Sequence, residues 1–142
     1  MILLDTSGLL AAMDSRERRH GACKAALEAD PGPFVLSPFV LAELDYLLAT
    51  RVGASAQSAL LGEVARGAYR LETFEASDVE LAAEVMERFR SLTIGLADAS
   101  LVVLSGRTGA QNVLTLDVRH FSVLRRPNGR QFRLKPDPAD AG

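Results

Sequence analysis

Short apolar runs alternate with longer helical segments along most of this sequence, and this alternation restricts the possible folds more than any other feature. The runs at 2–4, 34–36 and 112–116 are too short for core helices and are apolar enough to form buried strands. Segments with helical periodicity separate them. Strands that alternate with helices predict an α/β sandwich built on a mostly parallel sheet with right-handed crossovers.

Turn and capping residues predict where several elements begin and end. Thr6 or Ser7 is expected to cap a first helix, and helical sequence continues to about Asp30. Ser37 followed by Pro38 is typical of a helix start. That helix is expected to end near Gly53 and to pair with the next one as a helical hairpin.

The second half of the chain shows the same alternation. A weak strand is predicted over 69–74, and the segment 77–80 has the pattern of a capping box that begins another helix. An apolar helix is expected after Gly95, and a last strand is expected near 132–134. The sheet is therefore expected to include strands from both halves of the chain.

The size of the chain fits one domain. With 142 residues and 48% hydrophobic side chains, it has enough apolar surface for a single core. We expect one domain over 1–135 and a disordered polar, proline-rich tail over 136–142. No stretch approaches the length that a bilayer requires, and the opening lacks a basic leader, so we expect a cytoplasmic protein. The lone Cys23 excludes an intramolecular disulfide and is expected to pack in the core.

Two aspartates directly follow apolar strands. Asp5 comes after the first strand and Asp117 comes after the run at 112–116. In parallel sheets, binding sites lie beyond the carboxyl ends of the strands, which makes both residues candidates for a site. The alternative for each is a turn-forming aspartate, which is common at strand ends.

Two further carboxylates lie on helices whose patterns do not require them. Glu43 has Phe39, Val40, Tyr46 and Leu47 as its helical neighbours, which predicts a position on the apolar stripe and away from the solvent face. Asp98 lies in the first turn of an apolar helix, where a contact with the helix dipole is the alternative explanation. Together with Asp5 and Asp117, these residues form a candidate acidic quartet.

Four carboxylates in one cleft would repel each other strongly and would need a cation. Oxygen ligands without clustered His or Cys select hard divalent ions, so Mg²⁺ or Mn²⁺ is expected. Such a site supports phosphodiester hydrolysis. Thr6, Ser7 and Thr115 are candidates to orient the carboxylates or water, although Ser7 has the alternative role of capping its helix.

The basic residues are concentrated near the end of an otherwise acidic chain. The segment 119–135 has six basic and no acidic residues, whereas the other 125 residues have 10 basic and 18 acidic ones. A local cationic segment fits binding to a phosphate backbone, and a solvated basic loop is the alternative. His120 lies in the same segment, with a structural role and a proton-transfer or RNA-contact role both open.

The opening LLDTSGLLA, the central SPFVLAELDYLL, the later IGLADASLV and the final TLDVRHF resemble the PIN-domain family. Within that family, they are most similar to the VapC toxins of bacterial toxin-antitoxin pairs, over about 2–121. The resemblance implies a three-layer α/β/α sandwich and Mg²⁺- or Mn²⁺-dependent endoribonuclease activity on structured RNA such as tRNA or rRNA. It also implies a homodimer and a VapB-type antitoxin partner, which in this family often binds between helices such as the hairpin over 38–68.

The resemblance assigns the acidic quartet as the metal ligands and Thr6 and Thr115 as their hydroxyl neighbours. The basic residues nearest in sequence to Asp117 are then the candidates for RNA phosphate contacts. They are Arg119, Arg125 and Arg126.

Two other functions are compatible with an aspartate after the first strand. A phosphotransfer or phosphatase domain would need a further acid or lysine near Asp5, and Thr6, Ser7 and Gly8 stand there instead. A catalytically inactive PIN-like protein that binds RNA or regulates with its partner would retain the fold without turnover. The intact quartet argues against this second alternative.

Overall fold

Within residues 1–140, the part of the chain that this computed structural model describes, five strands form one sheet in the order β3-β2-β1-β4-β5. All four neighbouring pairs are parallel, which confirms the predicted α/β class. The strands are β1 (Ile2–Leu4), β2 (Phe34–Leu36), β3 (Arg70–Leu71), β4 (Asn112–Leu114) and β5 (Arg133–Lys135).

Seven α-helices connect the described strands. They are α1 (Thr6–Met13), α2 (His20–Ala29), α3 (Pro38–Arg51), α4 (Ala54–Ala65), α5 (Ala76–Arg88), α6 (Leu96–Thr108) and α7 (Val118–Phe121). Short 3₁₀ turns lie at Arg90–Leu92 and Pro138–Asp140. The helices before β3 and those after it lie on opposite faces when the crossovers are right-handed, which gives the three-layer sandwich.

The predicted start of α3 is confirmed. The Ser37 side chain accepts a hydrogen bond of 3.2 Å from the Phe39 backbone N–H, and Pro38 takes the first helical position. The α3 and α4 helices form the expected hairpin, with Gly53 between them at a φ of 138°. A positive φ of this size favours glycine, so the chain can turn sharply there.

The helical sequence predicted up to about Asp30 forms two helices, α1 and α2. Four other local predictions were wrong. Thr6 and Ser7 lie inside α1, where Asp5 holds the N-cap position. The strand expected over 112–116 ends at Leu114, so two residues separate it from Asp117. The α5 helix is capped by Glu75, whose backbone N–H donates to the Asp78 side chain, and not by Ser77. The strand expected over 69–74 is reduced to Arg70–Leu71 because both of its residues are exposed at the sheet edge and gain little from burial.

The predicted tail over 136–142 falls only partly within the described residues. Pro138–Asp140 form a 3₁₀ turn, and residues 141–142 lie outside the described part of the chain. Cys23 is fully buried and has no disulfide partner, as expected. No helix in the described chain is long and apolar enough to cross a membrane.

The sheet reverses its direction of growth at β1, and this reversal positions the site. From β1 the chain moves outward to β2 and β3, then returns to place β4 on the other side of β1. In parallel sheets, the crevice at such a switch point lies beyond the strand ends. Asp5 and Asp117 follow the two strands that flank it.

Candidate active site

The Asp5 carboxylate is buried at the carboxyl end of β1 and is held by two hydroxyl groups. Its residue is 5% exposed. The Thr115 hydroxyl donates to Oδ2 over 2.6 Å, and the Ser7 hydroxyl donates to the same oxygen over 2.7 Å. Ser7 Oγ also accepts from the Leu116 backbone N–H at 3.0 Å. These contacts support the orienting role proposed for Ser7 and Thr115 over the capping alternative.

Close packing of α1 against β4 places these groups together. A Cβ atom on Gly8 would lie 2.5 Å from the Leu114 carbonyl oxygen, so only glycine allows this approach. The first turn of α1 can therefore direct Ser7 at the residues that follow β4. The sequence Asp5-Thr6-Ser7-Gly8 thus contributes both polar groups and the space that they need.

Glu43 reaches the site from α3, but not in the way that its helical neighbours predict. The buried stripe of α3 consists of Val40, Leu44 and Leu48, while Glu43 is exposed. The expectation that Glu43 avoids the solvent face was therefore wrong. Its Oε1 accepts a hydrogen bond of 2.8 Å from the Thr6 hydroxyl, which connects it to the residue after Asp5.

Asp98 and Asp117 meet at the side chain of His120. The Nδ1 atom of His120 lies 2.9 Å from Asp117 Oδ2 and 3.8 Å from Asp98 Oδ2. The shorter contact is not aligned as a hydrogen bond, so this buried nitrogen has no hydrogen-bond partner in the described chain. Asp117 also accepts from the His120 backbone N–H at 3.1 Å, and Asp98 accepts from the Gly95 backbone N–H at 3.4 Å.

His120 is the residue whose position sequence reasoning could not decide. Its spacing of three residues from Asp117 puts both on one turn of α7, but nothing local predicts its contact with Asp98. His120 therefore lies beside two of the predicted acids, and its role there stays a prediction.

Burial and mutual repulsion raise the pKa of two of these acids. Desolvation is the main cause for Asp5, whose pKa lies above its usual value despite the hydroxyl donors and is raised further by Asp117. Desolvation likewise raises the pKa of Asp98 to about 6, with the charge of Asp5 as the next cause and that of Asp117 adding to it. Three of the four predicted acids therefore interact electrostatically.

The donor set fits a hard divalent cation. The oxygen atoms at this site come from carboxylates. Burial makes their charged form unfavourable, and a bound cation would offset this cost. Within residues 1–140, no three acidic or histidine side chains already stand together as a ligand set. Asp5 Oδ2 is already oriented by its two hydroxyl donors.

The three arginines proposed to contact RNA differ in their surroundings. Arg119 is exposed on α7. Arg125 donates to the carbonyl oxygens of Ser122, Val123 and Leu124 and so closes the C-terminus of α7. Arg126 is only 9% exposed and donates to the Gly109 carbonyl oxygen at 3.4 Å. These contacts favour Arg119 as the residue available to a phosphate.

Comparison with known proteins identifies the family to which this fold and these acidic residues belong. The family model for the PIN domain matches residues 2–126. Ribonuclease VapC26 of Mycobacterium tuberculosis is 44% identical over 135 residues, which cover 95% of this chain and 100% of that protein. PIN-domain ribonucleases generally depend on a divalent metal ion.

Solved structures show the same fold. The crystal structure of Mycobacterium tuberculosis VapC20, described as a sarcin-ricin loop cleaving toxin, has a TM-score of 0.76 and 28% identity, covering 82% of this chain and 90% of that one. VapBC2 from Rickettsia felis, bound to a promoter DNA fragment, has a TM-score of 0.65 and 20% identity, covering 95% and 98%. The chain therefore belongs to the PIN-domain family and, within it, to the VapC ribonucleases.

Proposed function

We propose that this ribonuclease is the toxin of a toxin-antitoxin pair and that Asp5, Glu43, Asp98 and Asp117 hold the Mg²⁺ or Mn²⁺ with which it hydrolyses RNA. The observation that carries the assignment is the set of contacts that connects the four acids. Thr115 joins Asp5 to Asp117, and His120 lies against both Asp117 and Asp98. Thr6, the residue after Asp5, donates to Glu43. When bound, the divalent ion activates water and neutralises charge on the reacting phosphate.

The protein groups around the quartet set the orientation of each acid. Thr115 and Ser7 fix the Asp5 carboxylate, and Thr6 holds Glu43 at the rim. Donors of this kind keep ligand oxygens at the angle that a metal site requires. His120 Nδ1 lies 2.9 Å from Asp117 and 3.8 Å from Asp98, and we propose that this side chain contacts the RNA near the reacting phosphate. Arg119 is the exposed cation proposed to contact the RNA backbone.

Structured RNA such as tRNA or rRNA is the proposed substrate. The solved relative VapC20 is described as cleaving the sarcin-ricin loop, and cleavage of a folded RNA by this chain would follow the same class. We further propose that the protein acts in the cytoplasm, forms a homodimer and binds a VapB-type antitoxin. Light scattering of the purified chain, alone and with the antitoxin, measures both assemblies.

The activity is tested with protein freed of antitoxin and incubated with total bacterial RNA in Mg²⁺, Mn²⁺ or EDTA. Discrete fragments with either metal and none with EDTA are expected. The Asp5→Asn, Glu43→Gln and Asp98→Asn variants should each lose cleavage. Asp45→Asn is the matched control, since Asp45 lies on the same helix as Glu43 but accepts its hydrogen bond from Gln57.

Two results would overturn the proposal. Cleavage that persists in EDTA or in the Asp98→Asn variant would remove the metal mechanism. Binding of RNA without cleavage in either metal would favour the inactive, RNA-binding alternative.

A further inference from the structure

A cavity of about 510 Å³ opens next to the residues that follow β4 and β5. Thr115 and Leu116 form one wall, and Arg18 and Arg19 of the α1–α2 connection form another. Thr115 is the residue that donates to Asp5, so the cavity is lined by a direct hydrogen-bond partner of the buried acid. No carboxylate of the described chain lines it.

The two arginines are the charges in this connection that remain available. Arg16 is bound to the Asp14 carboxylate through Nε at 3.1 Å and Nη2 at 3.2 Å. Arg18 is exposed and Arg19 is half-buried. Neither forms an ion pair with a described residue, and this includes the nearby Glu17. The Nη2 atom of Arg19 is buried without any hydrogen-bond partner in residues 1–140.

A buried guanidinium nitrogen without an acceptor is costly unless something supplies one. The arginine fork matches the paired oxygens of a phosphate better than any other side chain does. The cavity gives such a phosphate room beside Arg19 and next to the residue that donates to Asp5.

A second cavity of about 410 Å³ adjoins the first and shares Val118 and Pro138 with it. Its wall includes Arg133 and Lys135 from β5, and one acid, Asp137, which accepts from the Ala139 backbone N–H. The two cavities form a groove with four basic residues along the edge of the sheet. We refer to it as the basic groove.

We propose that Arg18 and Arg19 bind an RNA backbone phosphate next to the scissile one, and that the basic groove carries the strand away from the carboxylates. This inference rests on the proposed ribonuclease function. The acidic quartet repels RNA, and a neighbouring cationic groove offsets that repulsion where the strand must pass. An acidic protein segment would meet the same arginines, but it would bring carboxylates and not the reacting phosphodiester to the quartet.

Binding is measured by fluorescence anisotropy of a labelled single-stranded RNA of mixed sequence in the Asp98→Asn background, which removes cleavage. The Arg18→Ala/Arg19→Ala variant should bind roughly 10-fold more weakly, because two charge-assisted contacts are lost. Its salt dependence should also fall by about 0.7 in log Kd per log salt, the value for one single-strand phosphate contact. Arg66→Ala/Arg90→Ala, at two exposed arginines elsewhere, removes the same charge and is the matched control.

Cleavage of total RNA in Mg²⁺ is followed in parallel without the Asp98→Asn change. KM should rise in the Arg18→Ala/Arg19→Ala variant while kcat at saturating RNA stays near wild type. Because Arg19 precedes α2, the exposed Arg18→Glu single variant and the charge-retaining Arg18→Lys/Arg19→Lys variant accompany it. The first should weaken binding and the second should largely restore it.

The outcomes separate this inference from the proposed function. Normal RNA binding and salt dependence in the Arg18→Ala/Arg19→Ala variant would overturn the inference even if the wild-type protein cleaves RNA. Weakened binding with no cleavage by wild type would support the groove and overturn the nuclease assignment. If the Arg18→Ala/Arg19→Ala variant binds RNA normally but no longer binds a poly-glutamate peptide, the two arginines bind an acidic protein segment. That result would contradict the proposal.

Discussion

The Thr115 hydroxyl donates to Asp5 Oδ2 over 2.6 Å and accepts from the Asp117 backbone N–H over 2.9 Å. One buried side chain thus connects the acids that follow β1 and β4, which are 112 residues apart in sequence and adjacent in the sheet. The position of each acid depends on the other strand through this hydroxyl.

Thr115→Val is therefore expected to reduce RNA cleavage roughly 10- to 100-fold, the range found when a group supporting a metal ligand is lost. Valine keeps the shape but removes the donor to Asp5 and the acceptor for Asp117. Calorimetric titration with Mn²⁺ should show weaker binding. Thr50→Val is the control, because the Thr50 hydroxyl bonds only to carbonyls of its own helix. Equal Mn²⁺ affinity in the Thr115→Val and wild-type proteins would contradict the connection described here.

Asp98→Asn should reduce cleavage by at least about 100-fold, more than the loss of a supporting group costs. The same change should stabilise the metal-free protein at neutral pH, because it removes a carboxylate whose charged form is penalised by burial and by Asp5. Thermal unfolding in EDTA measures this effect. A lower Tm for Asp98→Asn at pH 7 would mean that the charge of Asp98 is not a cost in the absence of metal.

The stability of the metal-free protein should also decrease as pH rises from about 4 to about 6. The folded pKa of Asp98, about 6, exceeds its unfolded value of 3.8, so the folded state holds the extra proton in this window. The contribution of Asp98 to the free energy of unfolding is highest below pH 3.8. It is lost as the pH rises through 6, by about 2 to 3 kcal/mol. Asp14 and Asp30 have lowered pKa values, so their contributions to stability change with pH below this window.

The difference between wild-type and Asp98→Asn unfolding free energies across pH in EDTA isolates this contribution. Saturating Mg²⁺ should abolish the difference in slope, since the bound ion favours the charged carboxylate. A flat difference between pH 4 and 6 in EDTA would contradict the raised pKa of Asp98.

Thr6→Val should lower cleavage by roughly 10-fold or more, because Glu43 then loses the donor that holds its exposed carboxylate at the rim of the site. The fold should tolerate the change, since valine is close in size to threonine. Far-UV circular dichroism and RNA cleavage are measured together. Activity equal to wild type would show that Glu43 finds its position without Thr6.

Gly8→Ala should destabilise the protein by roughly 1 to 3 kcal/mol and should lower cleavage as well. The added Cβ would lie 2.5 Å from the Leu114 carbonyl oxygen, which is backbone and cannot rotate away. Moving α1 outward would separate Ser7 from Leu116 and Thr115.

Gly21→Ala is the matched control for Gly8→Ala. Gly21 lies in α2, and its added Cβ would meet nothing within 4 Å, so alanine should be neutral or stabilising by up to about 1 kcal/mol. Denaturant unfolding compares both variants with wild type. Similar stability of the two variants would contradict the tight approach of α1 to β4.

The sequence by itself determined the α/β class, the parallel sheet and the end of β1 that places Asp5, because apolar periodicity and strand length are local properties. It did not determine the end of β4, since this strand ends at Leu114 and two residues separate it from Asp117. It also determined the Ser37-Pro38 helix start, since capping depends on neighbouring residues. The cap of α5 and the limits of β3 were less predictable, because they depend on contacts and on exposure at an edge.

Only the tertiary structure decided which groups meet. Glu43 lies outside the buried stripe of its helix, yet Thr6 brings it to the site, and no local pattern contains that contact. The approach of His120 to Asp98 likewise depends on the strand order, as does the cavity that Arg18 and Arg19 share with Thr115. Such contacts join residues that are distant in the chain, and their geometry is set by how α1, α6 and α7 pack around the switch point between β1 and β4.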